Sequence, residues 1–159
     1  MQDLRIEQLA KGLINYSCQL KKGEKVLIEA KGIDYMLVNA LVKEAYSVGA
    51  MPFVEIYDNR VTRQLLLGQT EEQAKLRAKY DSARMAEMDA YIGVRGGENC
   101  NELSDVPEDK MNAESLYYTH PVHHEIRVKK TKWVVLRYPN QGMASQAGMS
   151  TDAFEGLQP

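Results

Sequence analysis

Four short runs rich in branched and aromatic residues punctuate this chain: KVLIEA (25–30), PFVEIY (52–57), AYIGV (90–94) and WVVLRY (133–138). Between them lie longer segments whose apolar residues recur every three or four positions. That alternation constrains the fold more than any other feature. A short branched run reads as a strand, and the helical period reads as an amphipathic helix. Strands that alternate with helices of ten or more residues build βαβ units, so the sheet is parallel and covered on both faces. The expected fold is α/β, a three-layer α/β/α sandwich around a mostly parallel sheet, preceded by an N-terminal helix.

The helices can be placed by their stripes and caps. Ile6, Leu9, Leu13, Tyr16 and Leu20 form the first stripe, which Lys21, Lys22 and Gly23 close. Asp34 caps a second helix whose apolar face is Val38, Leu41, Val42, Ala45 and Val48. A short helix is expected at 61–67. Thr70, with Gln73 three residues on, opens another that reaches about Glu87. Pro107 suits a first helical turn, and Met111, Ser115, Tyr118, Val122 and Ile126 share a face after it. Pro121 is expected to kink or split that helix. A short helical piece is expected at 143–147.

Composition sets outer limits. With 159 residues, the chain suits one domain. Its 44% hydrophobic and 26% charged residues match a globular protein. A formal charge of -2 gives no electrostatic reason to bind nucleic acid or an anionic membrane. Two cysteines, Cys18 and Cys100, are too few for a disulfide framework and suit a reducing compartment. Asp3, Arg5 and Glu7 leave no signal peptide, and no apolar run approaches the ~20 residues of a membrane span. A cytoplasmic location is expected.

In open parallel sheets, ligands bind beyond the carboxyl ends of the strands. Those ends supply Glu29, Glu55, Asp58 and the loop Gly96, Gly97, Glu98 and Asn99. One reading is a doubly wound module that binds a small anion or nucleotide there. The plainer one is that polar residues mark strand exits and that positive φ explains the glycines. His120, His123 and His124 are candidate metal ligands, because helical spacing would put His120 on one face with either neighbour. Pro121, however, occupies the position after the first His where zincins carry Glu. A solvated histidine face beside the basic run Arg127, Lys129, Lys130 and Lys132 accounts for the same residues. No nucleophile elbow is present. No catalytic residue is assigned, and the chain reads as a scaffold or substrate-shaping domain rather than a complete enzyme.

Four stretches carry a family resemblance: LAKGLINYSCQLKKGEKVLIEA (9–30), LVNALVKEAYSVGAMPFVEI (37–56), MDAYIGVRGGENCNELSDVP (88–107) and KTKWVVLRYPNQGMASQAGMSTDAFE (130–155). Together they resemble the N-terminal domain of the thermophilic metallo-aminopeptidases (aminopeptidase T, aminopeptidase S and related leucyl-type enzymes). The resemblance implies a cytosolic exopeptidase that removes N-terminal residues from peptides. It further implies two divalent metal ions (zinc, cobalt, magnesium or manganese) and a homo-oligomer. In that family the metal ligands belong to a C-terminal domain, so none maps onto this sequence, and no metal is expected to be bound by this chain alone. Ser150 or Thr151 would cap a helix through Asp152 and Phe154 that has little room to continue. Residues 1–150 are accordingly read as the domain, and 151–159 as the start of a connection to an absent catalytic domain. A frayed tail is the other reading. Self-association is expected through residues 143–154.

Overall fold

The computed structural model describes residues 3–96 and 102–138. Helix α1 (Leu4–Lys11) runs into a π-helical stretch, Gly12–Ser17. Strand β1 (Lys25–Lys31), helix α2 (Tyr35–Ser47) and strand β2 (Met51–Tyr57) follow. Helices α3 (Asn59–Gly68) and α4 (Glu71–Met85) lead to β3 (Ala90–Gly96). Helix α5 (Glu108–Glu114) continues as a π-helix, Ser115–Val128, and β4 (Lys132–Tyr138) comes last.

The expected starts are realised by local hydrogen bonds. Asp34 accepts from Tyr35 N at 2.7 Å, and Thr70 Oγ1 accepts from Gln73 N at 3.1 Å. Asp58, a candidate at a strand exit, caps α3 by accepting from Arg60 N at 2.8 Å.

All strand pairs are parallel, in the order β2-β1-β3-β4. The chain leaves β1 toward one edge and returns to its other side, so the order reverses between β1 and β3. One sheet face carries Val26, Ile28, Ala30, Ile92 and Val94 against Ile6, Leu13, Ile14, Leu37 and Leu41 of the N-terminal helices. The opposite face carries Leu27 and Tyr91 against Ala78 and Met85 of α4 and Tyr118 and Val122 of the π-helix. The expected three layers are thus present. Among the described residues, no helix is long and apolar enough to cross a membrane.

Two local differences have physical causes. Helix α5 and its π-helical continuation pass through Pro121 without splitting. Winding to i+5 bonds, usual where an insertion or a missing donor disturbs the regular ladder, replaces the break. The same winding after Lys11 rotates the first stripe, so Leu13 and Ile14 point inward while Tyr16 is 85% exposed. The expected helical piece at 143–147, the helix start at Thr151 and the associating segment 143–154 all lie outside the described residues.

Candidate functional site

Parallel register sets Glu29 of β1 directly between Glu55 of β2 and Gly93 of β3. Side chains at matched positions of neighbouring strands share a face. Two carboxylates named from the sequence therefore meet on the sheet face covered by α4. Neither is free. Glu29, 2% exposed, accepts from the Tyr91 hydroxyl at 2.7 Å and from Arg127 at 3.2 Å, and pairs with Arg95 at 3.1 Å. Glu55 is bound by Arg84 and by the Tyr57 hydroxyl.

The register also explains a glycine inside a strand. A Cβ on Gly93 would stand 2.8 Å from the Tyr91 hydroxyl oxygen and 3.1 Å from Arg95 Nη1. Its absence lets both side chains lie across β3 to reach Glu29. At the strand exits, a Cβ on Gly96 would stand 2.8 Å from Gly32 O. Close approach of the turn after β1, at Gly32 and Ile33, therefore accounts for Gly96, not a positive φ. Gly97, Glu98, Asn99 and Cys100 lie outside the described residues.

Burial alone would push the Glu29 carboxyl up. Lys31, Arg127 and Arg95 outweigh it and hold the pKa down at about 2. Tyr91 is pushed up to about 12 by burial and by the charge on Glu29. An always-ionised carboxylate and an always-protonated phenol are poorly matched to proton transfer near neutrality. The centre is electrostatic in character.

A cavity of about 90 Å³ opens beside it, walled by Glu29, Lys31 and Tyr57 of the sheet and by Thr62, Leu66 and Arg77 of the helices. Arg77 donates to Glu114 at 2.8 Å and to Gln69 at 2.7 Å. A larger depression, about 210 Å³, lies between α1 and α2. None of its polar side chains is buried, and it lies away from the strand ends.

The histidines are divided between two environments. His123 packs edge-on against Tyr91 and Trp133, with ring centroids 5.9 and 6.2 Å away. Burial, followed by the charges of Arg127 and Arg95, lowers its pKa to about 4. His120 and His124 are exposed, with centroids 6.2 Å apart. Among the described residues, no three His, Cys, Asp or Glu side chains are grouped to hold a metal ion. Cys18 is buried and its thiol is pushed up to about 11, which keeps it protonated and unreactive.

Sequence reasoning missed Lys31, Arg77, Arg95 and Arg127. It set Arg127 in a solvated basic run, whereas the residue is 2% exposed and stacks 4.3 Å above the Tyr91 ring. The signal was an acid, Glu29, inside an otherwise apolar strand: such a group requires cations from elsewhere in the chain.

The model of the thermophilic metalloprotease (M29) family matches residues 2–157. Wild-type AmpT from Thermus thermophilus superposes with a TM-score of 0.69 at 21% identity, covering 93% of this chain and 40% of that one. This likeness speaks to the fold alone, and the present chain spans less than half of that protein. The CurK enoyl reductase aligns at a TM-score of only 0.37 and 17% identity, over 90% of this chain and 44% of that one. No curated protein sequence matches.

Proposed function

The chain belongs to the thermophilic metalloprotease (M29) family, and from that premise we propose that it is the N-terminal, chamber-shaping part of a metal-dependent aminopeptidase. Its substrates are peptides that lose their N-terminal residue. The two divalent ions that such an enzyme uses would be carried by a catalytic domain outside these residues. The observation that carries this reading is the joint one of coverage: a family match across nearly the whole chain, and a fold match that accounts for only 40% of AmpT.

The donor set agrees with that division. Metal-assisted hydrolysis needs ions close enough to polarise a carbonyl and to lower the pKa of the attacking water to about 7. Glu29 and Glu55 are already bound by guanidinium groups, and His123 is wedged between aromatic rings. These residues do not fit a two-metal centre, and no step through a metal is assigned to them. Their contribution is a rigid, internally paired wall. Strand β2, at the sheet edge, leaves Phe53, Val54 and Ile56 exposed, with Ile56 at 58%. An uncovered apolar edge strand is a surface that a further domain would cover.

The test is an assay of the 159-residue chain with leucine p-nitroanilide and added Co²⁺ or Zn²⁺. No turnover above the blank is expected. Metal-dependent turnover by this chain alone overturns the proposal.

A further inference from the structure

Lys31, its side chain 31% exposed, lines the 90 Å³ cavity and shares its carboxylate with two other cations. Its ammonium stands 3.8 Å from Glu29 and 5.8 Å from the Tyr57 ring centroid, and it makes no hydrogen bond to a described residue. The nearby carboxylates are committed elsewhere. Glu29 is taken by Tyr91, Arg127 and Arg95, and Glu114 Oε1 by Arg77 at 2.8 Å and Gln69 at 2.9 Å. Arg95 Nη1 and Arg127 Nε are buried without a hydrogen-bond partner.

Charge tells the same story. Lys31, Arg77, Arg95 and Arg127 face Glu29 and Glu114, while Glu55 is matched by Arg84. Asp81, bonded to the Tyr118 hydroxyl, leaves the excess at one positive charge. Glu29 thus serves three cations, so positive charge at the cavity exceeds negative, and a small anion beside Lys31 would balance it.

We infer that this cavity is a binding site for one small oxyanion, a carboxylate or phosphate group, held by Lys31 with Arg77 and Thr62 beside it. The volume sets the size: a cavity of about 90 Å³ has room for several waters and so admits a phosphate or an acetate-sized group. Leu65 and Leu66 give the cavity an apolar side that tolerates a methyl or short alkyl substituent. The site lies at the carboxyl ends of β1 and β2, where parallel sheets place their ligands. It does not depend on the aminopeptidase reading, since it uses none of that reaction's chemistry.

Titration calorimetry and thermal melting of the chain test it, with phosphate and acetate as probes and chloride at matched ionic strength as the blank. Saturable binding of phosphate, acetate or both is expected. Binding of only one tells which headgroup the site prefers. Lys31→Gln should weaken the affinity at least tenfold, whereas the surface variant Lys11→Gln should leave it unchanged. Without added anion, Lys31→Gln should melt no lower than the unsubstituted chain, because it removes crowding among like charges. If Lys31→Gln fails to fold, Thr62→Val must weaken binding in its place. No saturable effect beyond chloride, or unchanged affinity in a folded Lys31→Gln protein, overturns the inference.

Discussion

Replacing Glu29 by Gln removes the one carboxylate shared by Arg127, Arg95 and Lys31 while keeping the size of the side chain. Arg127 is 2% exposed and cannot turn to water, so the substitution leaves a buried guanidinium without its counter-charge. Breaking a buried pair from one side costs about 3–5 kcal/mol. Proton linkage gives an independent figure. A carboxyl held at about 2 in the folded chain, against 4.5 as its ordinary value, contributes about 3 kcal/mol. The two agree. In a chain of this size each kcal/mol moves the melting point by roughly 2–4 °C, so Glu29→Gln should melt about 10 °C lower at neutral pH. Because the folded pKa is depressed, the contribution is fully present above about 4.5 and is lost as pH falls toward about 2. The gap between the two proteins should therefore close in acid. Urea unfolding followed by circular dichroism, repeated across that pH range, measures it. A gap below about 1 kcal/mol at neutral pH, or one that does not shrink on acidification, would mean that Glu29 does not hold Arg127 in place by charge.

Gly93→Ala should cost about 1–3 kcal/mol in the same assay, because its Cβ collides with the Tyr91 hydroxyl and Arg95; an unchanged midpoint would mean that these side chains do not lie across β3. Thr70→Ala should cost about 1 kcal/mol through loss of the bond from Gln73 N, with an unchanged unfolding midpoint counting against the cap. His123 should titrate near 4 by NMR: its folded pKa lies below the usual 6.5, so the stability it contributes is present above 6.5 and lost as pH falls toward 4. A His123 titration near 6.5 would contradict its burial. Light scattering should show self-association of the chain, and a strict monomer at high concentration would speak against a homo-oligomer.

The layers were legible because period and composition are local signals. All four strands and the starts of α2 and α4 follow from runs and caps that a reader of the sequence can mark. Strand order was not legible, since nothing local says that β3 returns to the inner side of β1. Nor was the winding through Pro121, which suggests a break when taken alone; the helix instead remains continuous as it packs Tyr118 and Val122 against Leu27 and Tyr91. The charged centre joins residues up to 98 positions apart, from Glu29 to Arg127. Alternation in β3 did carry a hint, for Tyr91, Gly93 and Arg95 must share a face with whatever strand lies alongside. Their common target could be identified only once the register was known.

The proposed division of labour rests on Glu29, Glu55 and His123 being committed to partners within the chain rather than to a metal pair. Metal content settles it most directly: load the chain with Zn²⁺ or Co²⁺, remove loosely held ions by dialysis, and measure metal per chain by mass spectrometry. Well under one ion per chain and an unchanged melting point are expected. Two retained ions per chain would contradict it.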